Sequence, residues 1–135
     1  MIAHDIASAK PQTIVVFSPH APSYRDYIQI SDGAQAFGSF EAFGVKDVDM
    51  KVLYDEDFVD MLCHAAASQG LPAGTLGEQS QTLDHGTMVP LHLFYRNTPI
   101  FGLCVFQSAD WIVIHRWPLE TVCAELLMNH SAMLQ

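Results

Sequence analysis

A run of five β-branched or aromatic residues, T-I-V-V-F at residues 13–17, constrains the fold of this chain more than any other stretch. A short run that is apolar at every position is typical of a strand buried on both faces, as in a parallel sheet. It stops at Ser18 and Pro19, because proline has no N–H and does not continue a central ladder. With helices predicted before and after it, the run indicates an α/β fold. We expect a three-layer sandwich with a mostly parallel central sheet and residues 13–17 at its centre.

The same break places His20 at the carboxyl end of the predicted strand. In open α/β sheets, ligands bind at this edge. A neutral imidazole there offers a nitrogen to a metal ion, or transfers a proton near neutral pH. The alternative from position alone is a loop histidine that hydrogen-bonds to the backbone, and both interpretations stay open at this point.

Charge and hydropathy exclude several classes of protein. A chain of 135 residues predicts one domain, which buries about two thirds of its unfolded surface. Six basic against 15 acidic residues give a formal net charge of −9, which argues against a nucleic-acid surface and against anionic membranes. Neither a membrane helix nor a signal peptide is predicted, so we expect a cytoplasmic protein. The cysteines, which form no C-x-x-C pair, are predicted to be free thiols: Cys63, Cys104 and Cys123.

Periodicity and helix-breaking residues predict the other elements. The predicted helices are residues 2–9, a helix from the Asp55 cap to Gly70, a helix from Gly86, and a C-terminal helix from Pro118. The predicted strands lie within residues 24–30, 49–54, 100–106 and 111–115. Residues 31–45 are predicted as a structured loop whose phenylalanines cover a hydrophobic surface, because their glycines disfavour a helix. Pro90 fits the helix from Gly86 only within its first turn.

A second motif, T-L-D-H-G-T-M-V-P-L at residues 82–91, follows S-P-H-A-P at residues 18–22. An acidic strand-and-helix stretch and then L-P-A-G-T-L-G-E separate the two motifs. Together they resemble the class III extradiol ring-cleavage dioxygenase (LigB-like) superfamily. Within it, this order is most similar to the Memo-like proteins of the bacterial AmmeMemoRadiSam system. The resemblance covers about residues 6–94.

The resemblance implies a role for each motif histidine. In this superfamily, two histidines and a carboxylate hold a non-haem Fe(II) with open positions for a catechol and dioxygen. His20 is accordingly the predicted metal ligand, and His85 is predicted to contact substrate or bound oxygen. The resemblance and the element ends that carry them predict that the two histidines lie close together at the carboxyl edge of the sheet. Asp84 either orients the His85 imidazole or simply caps the following helix. Ser18 and Tyr24 are predicted to line the pocket.

Two family ligands have no counterpart by motif. The family's first metal histidine lies on an earlier strand, and His4 falls in a predicted helix, so that role is not transferred to it. The last ligand lies in a second half of the domain, whereas residues 107–135 depart from the family pattern. The whole chain, residues 1–135, therefore resembles a single truncated half-domain. Four tail residues are weighed as replacement ligands and are expected not to rebuild the site: His115, Glu120, Glu125 and His130.

Three functions remain open from the sequence. One is a family member whose own ring-cleavage activity is absent or depends on a partner. Another is an oxidoreductase site completed across a dimer interface, and the third is a non-catalytic binding module. Fe(II) or another divalent metal and a small aromatic ligand are implied by resemblance alone. We expect a homo-oligomer, because a half-domain leaves a surface uncovered and the tail offers a hydrophobic patch for association. This patch contains Trp111, Ile112, Ile114 and Trp117.

Overall fold

A computed structural model describes residues 2–9, 11–20, 24–95 and 103–107. Its helices and strands confirm the α/β class in its coarse form. The helices are α1 (Ile2–Ala9), α2 (Glu56–Ser68) and α3 (His85–Tyr95), with a 3-10 turn at Glu41–Phe43. The strands are β1 (Ile14–Ser18), β2 (Ile28–Ile30), β3 (Gln35–Ser39), β4 (Asp49–Leu53), β5 (Ala73–Gly74) and β6 (Leu103–Gln107). The predicted strand 111–115, the predicted helix from Pro118 and Cys123 lie outside the described residues.

Four strands form one sheet in the order β1-β6-β2-β5. β1 pairs with β6 in parallel, β2 pairs with β5 in parallel, and β2 runs antiparallel to β6. Within the described residues, β1 therefore lies at one end of the sheet order and not at its centre as predicted. The reason is that β6, which comes from far along the chain, is inserted between β1 and β2. The antiparallel pairing brings the carboxyl end of β1 and the amino end of β2 to one edge.

A second, two-stranded antiparallel sheet joins β3 and β4. It contradicts the predicted loop over residues 31–45. Gly38 explains the difference, since a Cβ built there would lie 2.4 Å from the Met88 Sδ on α3. Glycine lowers the intrinsic preference for a strand, but it lets the backbone of β3 approach this helix closely. Tertiary packing therefore outweighs local propensity at this strand.

β1 contacts two hydrophobic clusters through alternate residues. Val15 and Phe17 pack against a first cluster, which lies between β2 and α2. Ile14 and Val16 pack against a second cluster, which joins β3, β4 and α3. Apolar contact on both faces of this strand confirms the predicted burial only in part, since residues 14–17 are partly buried. The first cluster contains Ile28, Ile30, Phe58, Val59, Leu62 and Ala66, and the second contains Ala36, Met50, Val52, Tyr54, Leu83, Met88 and Leu91.

α2 begins and ends where the sequence predicts. The Oδ1 atom of Asp55 accepts the backbone N–H of Phe58 at 3.0 Å, which satisfies one of the unpaired donors of the first turn. The Thr13 hydroxyl donates to the other carboxylate oxygen and so ties the start of α2 to the segment before β1. Gly70 has a φ of +69°, in the left-handed region that ends helices at low cost. No helix of the described ranges is both long and apolar enough to span a membrane.

Cys63 on α2 is a half-buried free thiol. Burial raises the pKa of this thiol above its ordinary value of 9.0, and the carboxylates of Asp60 and Asp32 raise it further. A thiol whose pKa is raised by folding stabilises the fold below its unfolded pKa, and this stability is lost as the pH rises through the folded pKa. We therefore expect iodoacetamide at pH 8.5 to alkylate Cys63 more slowly in the folded chain than in urea, measured by peptide mass mapping. Equal rates would contradict the raised pKa.

Candidate functional site

Two histidine rings meet where β1 ends and α3 begins. His20 follows β1 by two residues, and His85 is the first residue of α3. Their ring centroids are 4.1 Å apart and their planes are inclined by 37°. Both side chains are exposed to solvent. The close approach of these two histidines, predicted from the motif order, is thereby confirmed, whereas their chemical roles stay predictions.

A carboxylate beneath the pair joins the strand to the helix. The buried Ser18 hydroxyl donates to Asp84 Oδ1 at 2.7 Å. The backbone N–H of Thr87 donates to the same oxygen at 3.1 Å, and the Thr87 hydroxyl donates to Oδ2 at 2.9 Å. We call Ser18, Asp84 and Thr87 the Asp84 network. This network links the end of β1, which precedes His20, to the first turn of α3, which begins with His85. It therefore fixes the backbone position of one histidine relative to the other.

The geometry supports the helix-cap interpretation of Asp84. An aspartate that accepts the N–H three residues later is the preferred cap of a helix N-terminus. Both of its oxygens are engaged by Ser18 and Thr87. Among the hydrogen bonds of the described residues, none joins Asp84 to the His85 imidazole. Asp84 therefore acts on the histidines through the backbone that it holds, as a positioning residue.

Gly86 allows His20 to lie against the first turn of α3. A Cβ at this position would lie 2.5 Å from His20 Cδ2. The same atom would lie 3.0 Å from both Asp84 Oδ1 and Ser18 Oγ. Real Cβ atoms do not approach other atoms this closely without a shift of the neighbours. The glycine of the D-H-G motif is thus required by the packing of the site itself.

Pro90 corrects the predicted position of this helix. α3 begins at His85, one residue earlier than predicted, so Pro90 is its sixth residue and lies beyond the first turn. A proline inside a helix removes one backbone hydrogen bond, here the one to the Gly86 carbonyl. The helix persists because its residues Thr87, Met88 and Leu91 are buried. Tertiary contacts therefore offset the local cost.

An exposed phenylalanine adjoins the histidine pair. The Phe43 ring centroid is 5.8 Å from that of His85, at an interplanar angle of 60°. Phe43 is 59% exposed, whereas Phe40 packs against the second cluster and meets His92 edge-on at 5.5 Å. The predicted covering of a hydrophobic surface holds for Phe40 and is wrong for Phe43. Sequence reasoning missed the proximity of Phe43 to His85.

Tyr24 contacts Tyr27 and the loop at residues 76–78. Its hydroxyl accepts the backbone N–H of Glu78 at 3.0 Å, and its ring meets Tyr27 edge-on at 6.3 Å. The Tyr27 hydroxyl accepts the N–H of Leu76 at 3.0 Å. Both tyrosines therefore hold the loop at residues 76–78. The predicted pocket role of Tyr24 stays a prediction.

The described residues do not complete a metal centre of the implied kind. Among them, no group of three or more histidine, cysteine, aspartate or glutamate residues is placed to hold a metal ion. His20 and His85 offer two imidazole nitrogens, whereas an open non-haem iron site takes three protein ligands. The weighed replacement ligands lie outside the described part of the chain: His115, Glu120, Glu125 and His130.

Comparison with known proteins places this geometry in context. The model of one family, described as the catalytic LigB subunit of aromatic ring-opening dioxygenase, matches residues 1–109. A relative, Protein CA_C1420 of Clostridium acetobutylicum, is 27% identical over 142 aligned residues. The alignment covers 98% of this chain and 30% of the relative. The chain thus spans less than a third of the length of that relative.

Proposed function

Because this chain belongs to the LigB family of aromatic ring-opening dioxygenases, we propose that His20 and His85 form one side of a site for a small aromatic diol. The observation that carries the proposal is the pair of exposed imidazoles, 4.1 Å apart, at the carboxyl end of β1. Two imidazoles at this distance reach the two neighbouring hydroxyls of one diol. Ligand binding at this edge also agrees with the general behaviour of open α/β sheets.

His85 is the proposed proton acceptor of this site. A neutral imidazole nitrogen within hydrogen-bond distance accepts the proton of a diol hydroxyl, which leaves an imidazolium and a singly ionised diol. The first turn of α3 holds His85 in place, because the Asp84 network closes that turn. His20 is the proposed ligand of a metal ion when one is bound, and in the metal-free chain its imidazole is the proposed hydrogen-bond partner of the second hydroxyl. In this proposal, the described residues bind the diol and accept its proton. Ring opening requires further metal ligands from elsewhere.

We further propose that the chain does not open aromatic rings alone. The lack of a third ligand among the described residues supports this. A second copy or another chain would supply the missing ligands, which makes self-association part of the proposal. The same lack of a third ligand favours a second candidate, a non-catalytic binding module of the Memo-like branch associated with the AmmeMemoRadiSam system.

The proposed architecture is a three-layer sandwich. One observation that supports it is that alternate residues of β1 pack against two different clusters. The other is the set of elements that each cluster contains. α2 belongs to the first cluster, whereas α3 and the β3–β4 sheet belong to the second. The sheet that contains β1 would then be the middle layer, with the histidine pair at its edge.

Diol binding and oxygen uptake test the proposal together. We expect catechol to bind the purified chain, and His20→Ala to weaken binding about tenfold, since a lost hydrogen bond to a polar ligand costs on the order of 1.5 kcal/mol. The control is His64→Ala, which removes an exposed histidine of α2 whose Nδ1 contacts the Asp60 carbonyl. Isothermal titration measures both. Unchanged binding in His20→Ala would contradict the proposed site.

The oxygen measurement separates the candidate functions. After anaerobic loading with Fe(II), we expect no catechol-dependent oxygen uptake above that of Fe(II) in buffer. Turnover that disappears in His20→Ala would show that the site is complete after all. Elemental analysis then distinguishes a site shared between two copies from a binding module. Stoichiometric metal in a dimer indicates a shared site. A metal-free protein that still binds catechol indicates a binding module.

A further inference from the structure

Phe43 is the one aromatic ring described beside the histidine pair whose role the proposed site leaves open. We propose that Phe43 packs on the ring of the bound diol and selects a planar aromatic ligand over a saturated one. The inference rests on the proposed function and adds to it a specificity-determining residue.

Exposure alone does not distinguish Phe43, because single exposed apolar side chains are normal on protein surfaces. Its position does distinguish it, since it is 59% exposed and belongs to neither hydrophobic cluster. Its described ring contact is with His85. Three exposed rings therefore follow one another at this edge, from His20 to His85 to Phe43. Such a row presents faces and edges that a flat ligand can meet.

The three exposed rings are inclined to one another. His20 and His85 are inclined by only 37°, whereas Phe43 stands at 60° to His85. The Phe43–His85 centroid distance of 5.8 Å lies within the range of favourable aromatic contacts. An aromatic ligand laid across the exposed side of this row of rings can meet the Phe43 ring while its hydroxyls reach imidazole nitrogens. A saturated ring of the same size lacks the flat face that this contact requires.

The turn that carries Phe43 is closed by its own hydrogen bonds. The N–H groups of Phe43 and Val45 donate to the Phe40 carbonyl at 2.9 and 3.2 Å. The N–H of Gly44 donates to the Glu41 carbonyl at 2.9 Å, with a φ of +79° at Gly44. The half-buried Phe40 anchors the turn on the second cluster. The backbone of Phe43 is thus held in place before any ligand binds, which lowers the ordering cost of contact.

The test compares two diols and two matched variants. Catechol is the aromatic probe, and cis-cyclohexane-1,2-diol is the saturated probe with the same pair of hydroxyls. Phe43→Leu keeps an apolar side chain and removes the aromatic face. Phe37→Leu is the control, because Phe37 is 45% exposed on β3 and its described ring contact is with Lys51. Dissociation constants come from isothermal titration of the full chain as purified.

We expect Phe43→Leu to raise the dissociation constant for catechol about two- to tenfold, the range of an aromatic pair contact. The constant for the saturated diol should stay the same, so the preference for catechol shrinks. Phe37→Leu should leave both constants unchanged. An equal loss for both diols would mean that Phe43 has a structural role, and no loss for either would mean that it does not touch the ligand. Both results overturn the inference.

His20→Ala separates this inference from the proposed function. If catechol binding depends on Phe43 but not on His20, the histidine site is wrong and the aromatic contact stands. If binding depends on His20 but not on Phe43, the histidine site stands and the inference falls. If catechol does not bind the unmodified chain at millimolar concentration, both are wrong.

Discussion

Asp84→Ala is expected to lower the free energy of unfolding by about 2–4 kcal/mol, the sum of a lost helix cap and a buried hydroxyl left without its acceptor. Ser18 is almost fully buried, so its hydroxyl has no access to water as a replacement. The Thr87 hydroxyl, also buried, loses its acceptor in the same variant. Urea unfolding followed by circular dichroism measures the change. Ring-proton NMR should show that His20 and His85 lose their mutual shielding.

Asp84→Asn is the matched control. Its side-chain oxygen still accepts the backbone N–H of Thr87, and asparagine caps helices about as well as aspartate. Its side-chain NH2 group donates and does not accept, so one of the two hydroxyls loses its acceptor. We therefore expect a loss of only about 1 kcal/mol. If the alanine variant were as stable as the asparagine variant, the Asp84 network would not be holding α3 to β1.

Phe58→Ala is expected to have the largest effect on stability, a loss of about 3–5 kcal/mol. The Phe58 side chain is fully buried at the start of α2, and it is among the largest in the first cluster. Its removal loses the free energy of burying the aromatic side chain and also leaves a cavity. Both effects lower the free energy of unfolding. Since the total free energy of unfolding of a small domain is only about 5–15 kcal/mol, part of the population would unfold near 37 °C. Thermal unfolding measures this.

Leu53→Ala is the control for this core variant. Leu53 lies on β4 and is half exposed, so its truncation should cost well under 1.5 kcal/mol, the value for burying a whole leucine side chain. The folded fraction of Phe58→Ala should still bind catechol, because the first cluster lies on the face of β1 away from α3. Loss of binding by folded molecules would show that the two clusters are coupled more tightly than their separate contacts indicate.

The sequence predicted the elements whose causes are local. α2 has its cap at Asp55, and β4 alternates apolar and polar residues, so both are visible in short windows. β3 was missed because Gly38 disfavours a strand locally, and its benefit is a contact with Met88 on α3. The position of β1 in the sheet was missed for a similar reason. Strand order depends on β6, and no local pattern near β1 reveals a partner so distant in sequence.

The candidate site was predicted in part. Motif order brought His20 and His85 together, but it did not reveal the hydrogen bond from Ser18 to Asp84. It also did not place Phe43 beside His85, because that contact depends on how the turn at Glu41–Phe43 packs against α3. The sequence did contain one signal for this turn, because Phe43 directly precedes Gly44. Glycine adopts a positive φ at low cost and often closes such turns, as Gly44 does here. Neither the motifs nor the described residues assign the remaining metal ligands.

The insertion of β6 between β1 and β2 also sets the order in which the protein can fold during synthesis. Until Gln107 has left the ribosome, β1 and β2 have no shared neighbour to pair with. The β3–β4 hairpin and α2, whose contacts are local, are available much earlier. At 5–20 residues per second, the nascent chain waits roughly five to twenty seconds with the pairing edge of β1 not yet covered by β6. For that interval, protection of β1 from other chains depends on the cellular environment and not on its own fold.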